Sequence, residues 1–246
     1  MRVLIWNLNH RAARRRMPEW IAAATSPWAA DVVVLTEYVE GPDHDRFLGE
    51  LDAQGLQHSA QTESRKGQNQ VLIASRAPSR RGYLVAPAFH EFVPPNVLHV
   101  VLEESGVNVL GCRVPAFTGA GARQFKRRTW EWLLTAAEEL HDGPSIIAGD
   151  FNTTPGDGAA KCGDCVERLL EAGWHWARPS EGYSFRSANR GSPRQIDHVF
   201  LSPALWFTHA EYAWKFQTLA PDAASGTVGL PDHAMLVADL GSSGLK

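Results

Sequence analysis

Apolar runs of strand length recur along this chain, and several stop abruptly on a carboxylate or a carboxamide. Arg2-Val-Leu-Ile-Trp6 runs into Asn7 and Asn9, Asp31-Val-Val-Val-Leu-Thr-Glu37 ends on Glu37, and Ser145-Ile-Ile-Ala-Gly-Asp-Phe-Asn152 ends on Asp150 and Asn152. Gln195 to Ser202 carries Asp197 and His198, and Asp232-His233 opens the last run, Ala234 to Leu240. Continuous β-branched stretches predict strands buried on both faces. Asn69 to Arg76 reads as another strand, and Val97 to Glu103 with Val107 to Cys112 read as a hairpin about Ser105-Gly106. Trp206 to Thr218 reads as a further strand pair, and Trp174-His-Trp176 and Tyr183-Ser-Phe185 as aromatic packing over a sheet edge. Helical stretches cover Arg11 to Thr25, His44 to Ala53 with Gly55 as its stop, Ala122 to His141, and Val166 to Ala172.

Strand side chains alternate faces, so Asp150 and Asn152 are expected to point the same way. A simpler reading is a strand entering an Asx turn. The recurrence of the design favours chemistry: polar groups delivered to strand ends are how a rigid scaffold assembles an oxygen-rich site. Such a set, without cysteine, suits a hard cation, Mg²⁺ first and then Mn²⁺ or Ca²⁺. A buried Glu37 would need water, a cation or a metal at the strand exit.

Composition narrows the class. The chain has 246 residues, 44% hydrophobic and 21% charged, with net charge −3; one compact domain over 1–246 is expected. No apolar run approaches the ~20 residues of a membrane span, and the start lacks a signal-peptide layout, which predicts a soluble, cytoplasmic protein. Three cysteines are too few for a disulfide framework. Cys162-Gly-Asp-Cys165 has half a zinc site's spacing, but without a second half it reads as a loop holding two thiols. The acidic balance argues against a strongly basic nucleic-acid wrapper. Two arginine-rich helix starts, Arg11/Arg14/Arg15/Arg16 and Arg123/Lys126/Arg127/Arg128, are either solvated faces or phosphate-facing patches.

Trp6-Asn7, Leu35-Thr-Glu37, Gly149-Asp-Phe-Asn152, Ile196-Asp-His-Val-Phe200 and Asp232-His233, in this order, resemble the endonuclease/exonuclease/phosphatase superfamily from Val3 to Leu240. The resemblance implies a DNase I-like α/β fold: a four-layer α/β sandwich of two mostly antiparallel sheets packed face to face, with outer helices. It further implies Mg²⁺-dependent hydrolysis of a phosphodiester. Carried over position by position, it makes Glu37 the principal metal ligand and Asn7 its partner, with Asp232 and Asn9 near the metal. Asp150 would orient and deprotonate the attacking water, Asn152 would hold a phosphate oxygen, His233 would contact the phosphoryl group, and Asp197 would fix its tautomer.

Two positions depart from the family pattern. Where relatives offer histidine or tyrosine, this chain has Arg113, which is either a phosphate clamp or the partner of a site carboxylate. Asn9 stands where several nuclease relatives carry Asp, which removes a negative charge. His198 is expected to pack, and Arg76 either faces substrate or makes a structural ion pair. The expected substrate is nucleic acid, DNA first, with stacking by Trp28, Trp174 or Trp176. The alternatives are a lipid or small-molecule phosphoesterase, for which Phe89 to Pro95 is the nearest docking loop, and a non-catalytic module of the same fold. A monomer is expected.

Overall fold

The computed structural model describes residues 1–9, 17–63, 68–89, 95–116, 121–186, 192–214, 216 and 231–242. In chain order these form β1 (Arg2–Asn7), α1 (Trp20–Thr25), β2 (Val32–Tyr38), α2 (His44–Asp52), β3 (His58–Gln61), β4 (Gln70–Ser75) and β5 (Ser79–Arg81). There follow β6 (Val97–Leu102), β7 (Asn108–Arg113), α3 (Ala122–Leu140), β8 (Ser145–Asp150), α4 (Gly163–Glu171), β9 (His175–Trp176), β10 (Asp197–Leu201), β11 (Leu205–Ala213) and β12 (Met235–Ser242).

The strands make two six-stranded sheets, ordered β11-β12-β1-β2-β4-β3 and β5-β6-β7-β8-β10-β9. Only β1 with β2 and β7 with β8 pair in parallel among the described residues, at equivalent central places of the two sheets. Two-residue alternation builds the layers. Val3, Ile5, Val32 and Val34 of one sheet meet Val109, Ile146, Ala148 and Val199 of the other in a common core. Leu4, Trp6, Val33 and Leu35 point outward onto Ile21, Phe47 and Leu51 of α1 and α2. On the far side, Leu110, Cys112, Ile147 and Phe200 meet Trp130, Leu133, Val166 and Leu169 of α3 and α4. Helix, sheet, sheet and helix are the four expected layers, and the continuous apolar runs are the strands covered on both faces.

Local differences have physical causes. The expected helix from Arg11 is described only as α1 plus a 3-10 turn at Ser26–Trp28, and the arginine cluster at 11–16 lies outside the described residues. So do 90–94, most of the expected docking loop; Phe89 itself packs against Phe125 and Trp132. The Trp206 region is one strand, β11, whose partner is β12. α4 begins at Gly163, three residues early, because Cys162 adopts a left-handed conformation (φ 68°) that starts the helix there. Cys162 and Cys165 are buried in the core under α3 and α4. No helix among the described residues is long and apolar enough to cross a membrane.

Candidate active site

Three neighbouring strands of the first sheet, β12, β1 and β2, lie over three of the second, β10, β8 and β7. Each pair is joined by one polar contact at the same end of the sandwich. His233, just before β12, shares a hydrogen bond between Nδ1 and Asp197 Oδ2 of 2.7 Å. Asn7, the last residue of β1, donates from Nδ2 to Asp150 Oδ2 at 3.0 Å. Arg113, the last of β7, donates through Nε to Glu37 Oε1 at 2.7 Å, and its Nη2 stands 2.6 Å from the same oxygen as an ion pair. Six of the nine expected site residues thus form a polar seam between the sheets. Five of the six had been expected from strand ends, and the opposed β-strand directions bring those ends together.

Backbone geometry aims these groups. Glu37, Asn9 and Asn152 all have left-handed φ, 52°, 46° and 48°, which is rare for non-glycine residues and concentrates at functional sites. At Glu37 the β2–β4 register shifts between Leu35 and Tyr38, and a bulge of this kind re-aims a side chain. Asp150 and Asn152 do end up side by side, but simple alternation is not the reason. β8 ends at Asp150, the chain turns, and Asn152 bonds back through its N–H to Asp150 Oδ1 (2.9 Å) and through Nδ2 to Oδ2 (2.9 Å). The Asx turn and the polar pair are therefore the same feature. The second Nδ2 hydrogen of Asn152 goes to the Val114 carbonyl at 3.0 Å.

The electrostatics are those of charges held away from water. Asp150 and Asp197 are about 1% or less exposed and His233 is 5% exposed. Burial disfavours the His233 imidazolium, but Asp197, by charge and by hydrogen bond, outweighs it together with Asp150 and Asp232; the result is a pKa pushed up to about 9. Burial and the Asp197 charge hold Asp150 above the usual carboxylate range, against the opposing pull of His233 and Arg113. Asp232 is half exposed, with Oδ1 3.9 Å from His233 Nε2. Asn9 reaches the site through its backbone N–H, bonded to Asn7 Oδ1 at 2.9 Å.

Sequence reasoning missed the supporting residues. Ser184 Oγ accepts the N–H groups of Ile196 and Asp197 (2.9 and 3.1 Å), and Tyr212 donates to the Asp197 carbonyl (2.9 Å). Ser184 lay inside a stretch read only as aromatic packing. Lys126 is 1% exposed and donates to the Asn152 carbonyl at 2.6 Å, and Arg127 pairs with Asp164 at 2.7 Å; neither is a solvated helix face. His198 packs, as expected: burial pushes its pKa down to about 4, it bonds the Thr153 carbonyl, and Phe151, Trp176 and Phe200 surround it. Arg76 bonds the Ala30 carbonyl and lies 3.9 Å from Asp31, a structural role. Trp174 is 2% exposed in the core, so it offers no stacking face.

The donor set fits a divalent cation. Carboxylate and carboxamide oxygens predominate, Asp150, Asp197 and His233 place one ligand atom each within 4.8 Å of one another, and buried Asp197 Oδ1 has no hydrogen-bond partner among the described residues. His233 Nδ1 and Asp197 Oδ2 already engage each other, so this trio by itself is a poor cage; Glu37 and Asn7, at the same end of the sandwich, could add further oxygens.

The sequence model of the Endonuclease/Exonuclease/phosphatase family matches residues 4–217. The chain belongs to that family. It is a hydrolytic, divalent-metal-dependent family of nucleases and phosphatases. Solved structures share the fold at low identity. An endonuclease/exonuclease/phosphatase from Beutenbergia cavernae is 22% identical, with TM-score 0.75 over 99% of this chain and 72% of that one. An AP endonuclease from Archaeoglobus fulgidus is 16% identical (TM-score 0.72, 97% and 98% covered). A 3' phosphatase from Neisseria bound to product DNA hairpin is 19% identical (TM-score 0.69, 98% and 99% covered). No curated protein matches the chain. Its two mixed sheets and outer helices are the family's DNase I-like sandwich.

Proposed function

We propose that this family member is a divalent-metal-dependent phosphodiesterase that cleaves DNA. The observation that carries the reading is the buried His233–Asp197 pair beside Asp150 at one end of the sandwich. Asp150 accepts a proton from the attacking water, and its raised pKa makes it a better base than an ordinary carboxylate. Asn7 and Asn152 hold that carboxylate in place, both donating from Nδ2 to Oδ2. Holding a phosphate oxygen as well would take one Asn152 hydrogen from its present acceptor. The His233 imidazolium donates to a phosphoryl oxygen through Nε2 while Asp197 fixes the ring from Nδ1. Glu37 and Asn7 would hold the cation, with Asp232 and Asn9 nearby; Mg²⁺ suits these oxygens, and a bound ion neutralises charge on nonbridging phosphate oxygens.

DNA is favoured because solved relatives of this fold include an AP endonuclease and a phosphatase bound to product DNA hairpin. A panel of plasmid, single-stranded DNA, abasic duplex, RNA and sphingomyelin, with products resolved for their ends, tests the assignment. Mg²⁺-dependent cutting of a DNA substrate supports it. Turnover of sphingomyelin or RNA alone would overturn it.

A further inference from the structure

The Arg113–Glu37 contact is unlike the other two sheet-to-sheet contacts. His233–Asp197 engages the ring through Nδ1 and leaves Nε2 for another partner, and Asn7–Asp150 uses the Asn7 amide while its Oδ1 accepts the Asn9 N–H. Arg113 instead sets its guanidinium on one oxygen of the carboxylate expected to meet the cation: Nε donates to Glu37 Oε1 at 2.7 Å and Nη2 lies 2.6 Å from the same atom. Nε also lies 4.0 Å from Asp150 Oδ2. Both side chains are mostly shielded from water, 18% and 16% exposed, so the guanidinium acts on its neighbours with little screening.

We propose that Arg113 is an internal cation that competes with the divalent ion for Glu37 and so weakens and tunes metal binding in this chain. The inference rests on the reading of Glu37 as a metal ligand. An ion using Oε1 must displace the guanidinium or share the oxygen with its positive charge. An ion using Oε2 alone keeps a permanent positive charge on the far side of the same carboxylate. Both routes lower affinity, because arginine cannot relieve the repulsion by losing its proton. A neutral or readily neutralised side chain at position 113 would impose no such cost. Asn9, which adds no charge, leaves Glu37 all the more decisive for holding the ion. Once displaced, the fork remains beside Asp150, within the site that receives a phosphate.

Direct Mn²⁺ binding tests this without turnover: isothermal titration calorimetry and the electron paramagnetic resonance of free Mn²⁺, on the whole chain without substrate. Arg113→Ala and Arg113→Gln are expected to bind Mn²⁺ at least about tenfold more tightly than wild type, and Arg113→Lys to stay near wild type because it keeps the charge. Unchanged or weaker binding in both neutral variants overturns the proposal. Glu37→Ala separates the two levels of the argument. If it abolishes binding while the neutral Arg113 variants behave as wild type, only the competition is wrong. If Glu37→Ala binds as wild type does, or wild type and Arg113→Ala both fail to bind, the assignment of Glu37 fails and the competition with it. Should the variants not fold, the wild-type protein still decides: the Arg113 Nε–H resonance must shift on Mg²⁺ addition, and an unmoved resonance at saturation refutes the idea.

Discussion

Lys126 carries an ammonium group to a place with 1% exposure, where burial lowers its pKa from 10.5 to about 8. Between those values the unfolded chain holds a proton that the native chain has released. Stability should therefore rise with pH from about 8 to about 10.5, by about 1–3 kcal/mol in all. Urea unfolding midpoints across that window measure it, and Lys126→Met should remove this contribution to the slope. His233 gives the opposite sign. Its pKa of about 9 is raised chiefly by Asp197, so Asp197→Asn should lower it clearly in the metal-free protein, since burial then meets only the charges of Asp150 and Asp232. An NMR titration of the ring reads this directly; a value still near 9 would mean that Asp197 does not support the charge. Glu37, Asp150, Asp197 and His233 were all legible as candidates because each polar group interrupts or ends an apolar run. Lys126 was passed over because of its charge among arginines at a helix start, although its spacing of four and seven residues from Trp130 and Leu133 puts it on the inward stripe of the helix.

At the scale of elements, the strands were legible because continuous apolar runs have few other uses in a chain of this size. The turns that aim the site were not. Alternation predicts faces within a strand, but the bulge before Tyr38 and the left-handed Asn152 lie where strand periodicity ends. Gly149 shows how closely β7 and β8 approach behind the site: φ is +147°, and a Cβ there would stand 1.8 Å from the Cys112 carbonyl oxygen. Gly149→Ala should cost more than about 3 kcal/mol or prevent folding, since backbone must move on both strands. Thermal melts of the purified variant test this; a melting temperature equal to wild type would show that the strands can separate at no cost.

Across the whole molecule, two helix layers seal the sheets, and the sulfur chemistry is sealed with them. Cys112, Cys162 and Cys165 all have pKa values raised chiefly by burial, Cys165 to about 12 in spite of Arg127 beside it. Ellman's reagent at about pH 8 should therefore label none of them quickly in the native protein and all three after unfolding. The same architecture explains how residues far apart in sequence become one site. Parallel pairing at the centre of each sheet brings the C-terminal ends of β1, β2, β7 and β8 to the same edge, and antiparallel β10 and β12 bring their beginnings. Individual polar strand ends could be read from the sequence; which end faces which could not, because that pairing belongs to the stacking of the sheets.

Hydrolysis of bis-p-nitrophenyl phosphate, in Mg²⁺ and in EDTA, by wild type, Asp150→Asn and His233→Ala tests the central claim most directly. The expected result is turnover by wild type in Mg²⁺, none in EDTA, and a loss of about 10²–10⁴-fold in each variant that retains the native circular dichroism spectrum. Equal rates with EDTA, or in a folded variant lacking either side chain, would contradict the assignment of this seam as a metal-dependent phosphodiesterase site.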